Sequence, residues 1–159
     1  ELDILSMVTL AAELMRQFKQ PQPADHPIDL FSLGRWQADL GDGAMAEQCL
    51  KWSLDGDEQN KLPLPLFHQS LARLALLFKR QNRREEALPL WQQVAVTSFS
   101  DVTAHVELAK HYEWQAKELK TAVFWTEQAI TLTNDPITQS ELAHRRQRLE
   151  RKMGSGIGE

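Results

Sequence analysis

Cysteine, glycine and proline are scarce in this sequence, and long apolar runs are absent. Cys49 is the one cysteine, which excludes an internal disulfide framework. Only seven Gly and seven Pro occur among 159 residues, mostly at candidate turns, which argues against a disordered, low-complexity chain. Neither a signal-peptide pattern nor a run of about 18 apolar residues is present, so we expect a cytoplasmic protein with no membrane partner.

The sequence motifs of common enzyme and metal sites are also missing. There is no Gly-rich phosphate loop, no pair of cysteines, no His-Glu-x-x-His and no nucleophile elbow. His105 and His111 stand six positions apart, so one helix face would not present both to one metal ion. We therefore expect no catalytic residue within the repeats described below and no cofactor in this chain.

What the sequence does contain is enough apolar material for a folded core. Hydrophobic residues make up 42% of the chain and include five Trp. The net charge of -4 argues against a general basic coat for nucleic acid. The first residue is Glu and not Met, so we expect a part of a longer or processed protein.

The clearest periodic pattern lies in residues 71–94. Leu71, Leu74, Ala75 and Phe78 follow the i, i+3, i+4, i+7 spacing of one α-helical face. A polar break follows, and the helical spacing then resumes at Ala87, Trp91 and Val94. The pattern predicts two short antiparallel helices joined by a tight turn, and the small residues Ala75 and Ala87 would let their backbones approach closely.

A similar hairpin recurs on both sides of this one. The small residues of the paired helices are 12, 12 and 13 positions apart in the pairs Gly34–Ala46, Ala75–Ala87 and Ala109–Ala122. Successive units are 41 and 34 positions apart, and an insertion at 55–65 accounts for the longer interval. The sequence therefore predicts about three repeated helix hairpins.

This pattern resembles the tetratricopeptide repeat (TPR), in which Trp-x2-Leu-Gly-x2-Tyr precedes Ala-x3-Phe and Pro. The resemblance covers residues 27–135, although the first Trp of the motif is missing from all three units and Pro136 matches the closing Pro only loosely. It implies an all-α fold, a TPR-like α-α superhelix of about three hairpins with a leading apolar helix and a C-terminal capping helix.

Helix boundaries follow from the caps and turns. Pro27 suits a first helical turn, Ser100 or Asp101 suits an N-cap, and Asp135 followed by Pro136 suits the start of the last helix. Pro89 conflicts with its helix and predicts a kink or a later start there. The predicted segments are a leading helix at 1–18, a linker at 19–27, repeats with a capping helix at 28–153 and a flexible tail at 154–159. Besides the central hairpin, the predicted helices of the repeat region are 28–40, 44–54, 102–116, 120–132 and 136–153.

The leading helix is apolar on nearly its whole circumference. Such a helix is expected to be buried on every side, yet three following hairpins would cover one side at most. The rest of its surface therefore requires either a preceding domain or a partner. The alternative is a helix that dimerises or packs imperfectly.

Asp3 stands at the start of that helix, in the segment Leu2-Asp3-Ile4-Leu5-Ser6-Met7. This segment, followed by an apolar helix, a Pro-containing linker and repeat hairpins, resembles the junction in YprB-like ribonuclease-H-fold (DEDD-type) exonucleases. The resemblance implies that Asp3 helps to bind the two catalytic metal ions, Mg or Mn, of an upstream nuclease domain. The alternative is a helix-terminal carboxylate that interacts with the helix dipole.

The TPR resemblance also implies a concave groove lined by the first helix of each hairpin. Register places nine residues there: Phe31, Arg35, Asp39, Leu76, Lys79, Arg80, Lys110, Glu113 and Trp114. Four of the nine are basic in a chain that is acidic overall, which favours an acidic peptide or a phosphate backbone as ligand. Ordinary solvated helix surface is the alternative, and for Trp36 and Trp52 hairpin packing is the alternative to a stacking platform.

Together these patterns predict a non-catalytic scaffold that binds protein or nucleic acid. By resemblance it is the C-terminal, TPR-like part of a metal-dependent 3′–5′ exonuclease, with the nuclease domain as its partner in cis. The alternative is a stand-alone TPR adaptor that binds an acidic peptide or protein partner.

Overall fold

The computed structural model describes residues 3–56, 60–98 and 101–155. Eight α-helices and no strand occur within these residues. They are α1 (Ile4–Lys19), α2 (Pro27–Asp39), α3 (Gly43–Leu54), α4 (Leu64–Arg80), α5 (Arg84–Thr97), α6 (Val102–Trp114), α7 (Leu119–Leu132) and α8 (Pro136–Ser155). Tertiary contacts divide the chain into a first unit, residues 1–77, and a second unit, residues 78–159.

In the first unit, α2 and α3 form the predicted hairpin. A Cβ atom added to Gly34 would lie 2.8 Å from Cγ of Leu50, so only glycine allows this close helix approach. Gly41 turns the chain at φ 87°, and Asp42 caps α3 by accepting a hydrogen bond from the Met45 amide at 2.9 Å.

Cys49 lies on the inner face of α3 and is fully buried, where it packs as a small apolar residue. Burial raises the pKa of its thiol to about 11, and the negative charges of Asp25 and Asp42 add to the effect. On the same helix, the hydroxyl of Ser53 lies 2.8 Å from that of Ser70 on α4, which satisfies both buried polar groups.

Among the described residues, helix α1 contacts the rest of the first unit near its C-terminal end. The Phe18 ring lies 4.7 Å from that of Trp36, the Gln37 side chain donates to the Phe18 carbonyl, and Arg16 pairs with Asp25. No residue of α1 is buried. The described elements therefore meet only the last turns of this helix, and the preceding domain or partner expected to cover the rest of its surface stays a prediction.

The second unit contains the end of α4 and helices α5 to α8. Helix α5 begins at Arg84 and continues through Pro89, so the later start is wrong, and the other alternative, a kink at Pro89, stays a prediction. Asp101 caps α6 by accepting from the Ala104 amide at 3.2 Å, as predicted, whereas Ser100 lies outside the described residues.

Helix α8 packs against α7 through an apolar stripe that includes Leu142 and Leu149, 5% and 0% exposed. Asp135 caps it by accepting from the Thr138 amide at 2.9 Å, with Pro136 at the first helical position. The predicted capping helix is thus present, with charged residues on its outer face. Among the described residues, no helix combines the length and the apolar content that crossing a bilayer requires.

Candidate functional site in the second unit

A pocket of about 320 Å³ lies in the second unit. Its wall combines basic, apolar and aromatic side chains from the end of α4 and from α5, α6 and α8. They are Lys79, Arg84, Ala87, Leu88, Trp91, Glu107, Lys110, His111, Trp114, Gln115, Arg145 and Arg148. Five of these residues carry a positive charge, whereas Glu107 is the one acidic residue among them.

Glu107 holds two of the pocket's lysines. Its carboxylate lies 2.6 Å from Nζ of Lys79 and 2.7 Å from Nζ of Lys110, and its side chain is 10% exposed. Burial raises the pKa of Glu107, but hydrogen bonds and charges from Lys110 and Lys79 outweigh burial and lower the pKa below its usual value. Glu107 is therefore ionised at neutral pH and fixes the position of both ammonium groups.

Glu113 likewise fixes the position of basic side chains, in this case those of α8. Its side chain is 0% exposed and accepts hydrogen bonds from Arg145 at 2.8 Å, Arg148 at 2.8 Å and Lys152 at 2.7 Å. Burial raises the pKa of Glu113, and the hydrogen bond from Lys152 with the charges of Arg145 and Arg148 lowers it further than burial raises it. One carboxylate thus neutralises one of three cations, which leaves a local excess of positive charge.

Arg84 differs from these paired cations. It is exposed at the start of α5 and forms no ion pair within the part of the chain that the structure describes. Together with the excess charge on the Glu107 and Glu113 clusters, it makes the pocket a site of positive potential.

Trp114 gives the pocket an exposed aromatic surface. It is 61% exposed, and Nζ of Lys152 lies 4.4 Å from its ring centroid, within cation–π range. Leu88 and the buried Trp91 continue the apolar part of the wall. The arrangement can bind a ligand that carries both negative charge and an apolar group.

Three of the nine predicted groove residues, Lys79, Lys110 and Trp114, line this pocket. Glu113 is buried against α8, so its assignment to an open groove is corrected: it is an internal anchor. Arg80 is exposed but does not line the pocket.

The other predicted residues belong to the first unit. Phe31 is 2% exposed, so it packs in the core and cannot line a groove, which corrects that assignment. Arg35, over the Phe31 ring at 5.7 Å, and Asp39 and Leu76 are exposed. Whether any of them binds a ligand stays a prediction. Trp36 packs on Phe18 of α1 and not within its own hairpin, and it remains 56% exposed.

Repeat register did not find Arg84, Arg145 and Arg148. Arg84 is the last residue of the polar break in the sequence and the first residue of α5, so it lies outside the repeat register. The two α8 arginines reach the pocket only because α8 folds back beside α6. The basic composition of α8 was the available signal.

Solved structures of the protein MamA have a fold similar to that of this chain. The crystal structure of MamA, a TPR-like helical protein, superposes with a TM-score of 0.60 at 16% identity over 100% of this chain and 99% of that chain. A MamA double mutant gives a TM-score of 0.57 at 16% identity, covering 96% and 98% of the two chains. The fold is a TPR-like helical array. The predicted all-α fold class is therefore confirmed.

Sequence comparison adds one curated relative of this TPR-like array. The uncharacterized protein YprB of Bacillus subtilis (strain 168) is 27% identical over 139 residues, which cover 82% of this chain. The chain spans only 31% of that relative's length. No protein-family model matches the chain.

Asp3 acts as the N-cap of α1 in this array. Its carboxylate accepts a hydrogen bond from the Ser6 amide at 2.7 Å, and hydrogen bonds from Ser6 lower its pKa. This geometry fits the helix-terminal alternative. No group of three or more His, Cys, Asp or Glu side chains placed to hold a metal ion occurs in residues 3–56, 60–98 and 101–155. The metal-binding role of Asp3 remains a prediction.

Proposed function

We propose that this chain is a non-catalytic protein-binding scaffold whose second unit binds an acidic segment of a partner protein. The observation that carries the proposal is the pocket between α5, α6 and α8, where five basic residues face one acidic residue. Stacked helix hairpins present such concave surfaces for binding, which supports a scaffold role.

The distribution of charge supports an acidic ligand. In the first unit, acidic residues outnumber basic residues by five, whereas in the second unit basic residues outnumber acidic residues by one. Positive charge is thus concentrated near the pocket of a chain whose net charge is -4. A local excess of this kind attracts and orients a negatively charged partner.

A matched pair of arginine variants tests this proposal. Arg84 lines the pocket and Arg80 does not, yet both are exposed residues of the second unit. Binding of a fluorescein-labelled hexaglutamate peptide is measured by anisotropy. Arg84→Glu is expected to weaken binding roughly tenfold, about 1.4 kcal/mol, and Arg80→Glu less than about twofold.

The salt dependence of binding is the second measurement. Raising the ionic strength from 0.05 M to 0.5 M is expected to weaken hexaglutamate binding, since screening reduces attraction between exposed charges. Equal losses for the two arginine variants, or no binding of hexaglutamate at low salt, would reject the pocket as the acidic-ligand site.

The α1 surface supports a second proposal, that the chain is the C-terminal part of a longer protein. Ile4, Leu5 and Val8 are 80%, 76% and 60% exposed, and apolar side chains this densely placed favour a covering surface. The chain also matches only 31% of the YprB relative. By the resemblance at Asp3, the covering partner in cis is a nuclease domain that binds divalent metal, and nucleic acid is then a further ligand.

Two measurements test the second proposal. The codons before Glu1 are expected to encode further Asp and Glu metal ligands, and a start codon immediately there would contradict this. In light scattering, the isolated chain is expected to self-associate through α1. Glu substitutions at Met7, Leu10 and Leu14 are expected to make it monomeric, whereas Val96→Glu, at a 71% exposed site on α5, is not. A monodisperse parent chain would favour the stand-alone adaptor.

A further inference from the structure

We infer that the pocket selects a peptide in which an acidic residue stands next to an aromatic residue. This inference rests on the proposed acidic-segment binding and adds a second, apolar requirement. Arg84 and Lys110 face the acidic group, and Trp114 with Leu88 faces the aromatic ring.

The aromatic requirement follows from the shape and lining of the pocket. Trp114 lines the pocket and keeps 61% of its surface exposed, so part of its indole ring is available to a ligand. Lys152 covers part of one ring face, at 4.4 Å from the centroid, and fixes the indole's position. A pocket of about 320 Å³ is at the small end of ligand sites, so it admits one large side chain and its neighbour.

The acidic requirement follows from the unequal pairing of the pocket's cations. Lys79 and Lys110 share the one carboxylate of Glu107, and Arg84 forms no ion pair within the described residues. A ligand carboxylate near Arg84 and Lys110 would therefore gain charge-assisted hydrogen bonds without displacing an existing pair.

The acidic residues around the pocket favour a peptide over a nucleic-acid strand. A strand brings one phosphate per nucleotide, and phosphates that continue into the adjoining depression would meet Glu107 and Glu141 there, beside the basic residues Lys110, Arg145, Arg148 and Arg151. The chain as a whole carries -4, which further opposes a long polyanion. A short peptide with one or two acidic residues avoids both costs.

Selection from a random peptide library tests this inference. The full chain is immobilised, a library of random 12-residue peptides is passed over it, and retained sequences are read. Retained peptides are expected to be enriched in Asp or Glu adjacent to Phe, Tyr or Trp. The best peptide is then compared, by anisotropy, with its aromatic→Ser analogue and with a 12-nucleotide poly-dT strand.

Variants of the pocket assign each preference to one side chain. Trp114→Ala is expected to abolish the aromatic preference and keep the acidic one, with Trp114→Phe restoring it in part. Arg84→Ala is expected to reduce the acidic preference. The controls are Phe124→Ala, on α7 and 51% exposed, and Arg80→Ala, which should keep both preferences. Far-ultraviolet circular dichroism checks that each variant remains helical.

The outcomes separate this inference from the proposed function. The aromatic→Ser analogue is expected to bind about tenfold more weakly than the best peptide, which is the usual scale for losing one well-placed aromatic contact. Acidic peptides retained without an aromatic preference would overturn the inference and leave the proposed function standing. Absence of acidic enrichment would overturn both. Tighter binding of poly-dT, or an aromatic preference unchanged in Trp114→Ala, would also overturn the inference.

Discussion

Helix α1 has a broad apolar face and only a narrow polar stripe, yet none of its residues is buried, whereas α8, in which seven of 20 residues are charged, buries Leu142 and Leu149. Helix α8 packs because it has an apolar stripe that matches α7 and three cations that match the Glu113 carboxylate. Helix α1 has more apolar surface, but only its last turns contact the rest of the first unit. Phe18 contacts Trp36 and Gln37, and Arg16 pairs with Asp25. Burial thus depends on a complementary surface in the chain and not on composition alone.

The largest expected difference between the two helices is in the response to losing a leucine. Leu149→Ala removes a fully buried side chain from α8 and is expected to lower the free energy of unfolding by about 3 kcal/mol, because it leaves a cavity. Leu14→Ala on α1, at 58% exposure, is expected to cost less than about 0.5 kcal/mol. Urea denaturation followed by circular dichroism measures both. Similar losses for the two variants would show that α1 and α8 are equally well packed.

Removing the anchor of α8 has the next largest expected effect. Glu113→Gln leaves Arg145, which is 14% exposed, without its counter-charge, and is expected to destabilise the second unit by roughly 2–3 kcal/mol. This is below the usual cost for a buried pair, because Arg148 and Lys152 are 44% and 39% exposed and regain water. Glu150→Gln, at an exposed pair with Arg146, is the control and is expected to cost under about 0.5 kcal/mol. A harmless Glu113→Gln would show that the Leu stripe alone holds α8.

Acid is expected to weaken α8 through the same residue. Because the folded pKa of Glu113 is below its ordinary 4.5, its stabilising contribution is complete above that value. The contribution is lost as the pH falls from 4.5 through the lower folded pKa, where the carboxyl protonates. The stability difference between the parent chain and Glu113→Gln is therefore expected to shrink between pH 5 and pH 3. A difference that stays constant over this range would exclude ionised Glu113 as the anchor.

The smallest expected effect comes from the two N-caps. Asp3 and Asp135 both accept a backbone amide hydrogen bond three residues later, at 2.7 Å and 2.9 Å. Replacing either by Ala removes this hydrogen bond and destabilises the first turn of its helix. Asp135→Ala is expected to lower the melting temperature of the second unit, because α8 is part of its core. Asp3→Ala is expected only to speed amide hydrogen exchange in α1. A lower melting temperature for Asp3→Ala would mean that α1 is coupled to the first unit.

Local pattern was sufficient to predict the helices because the repeat spacing reflects close backbone approach. The position of Gly34 opposite Leu50 shows the physical reason, since no larger residue fits there. The site was predicted only in part. Lys110 and Trp114 follow from the register of one helix, but Arg145 and Arg148 depend on how α8 returns to α6, which no local spacing encodes. Glu113 was misplaced because a charged residue on a helix is usually solvated, and here three cations compensate its burial.

The enclosed Cys49 on α3 has a practical consequence for separating the two units in experiments. A thiol that is 0% exposed and has a pKa near 11 reacts with alkylating reagents only when its surroundings open. Since the chain has no other cysteine, the rate of modification reports the opening of residues 1–77 alone. Alkylation of Cys49 can therefore follow the opening of the first unit without an introduced label.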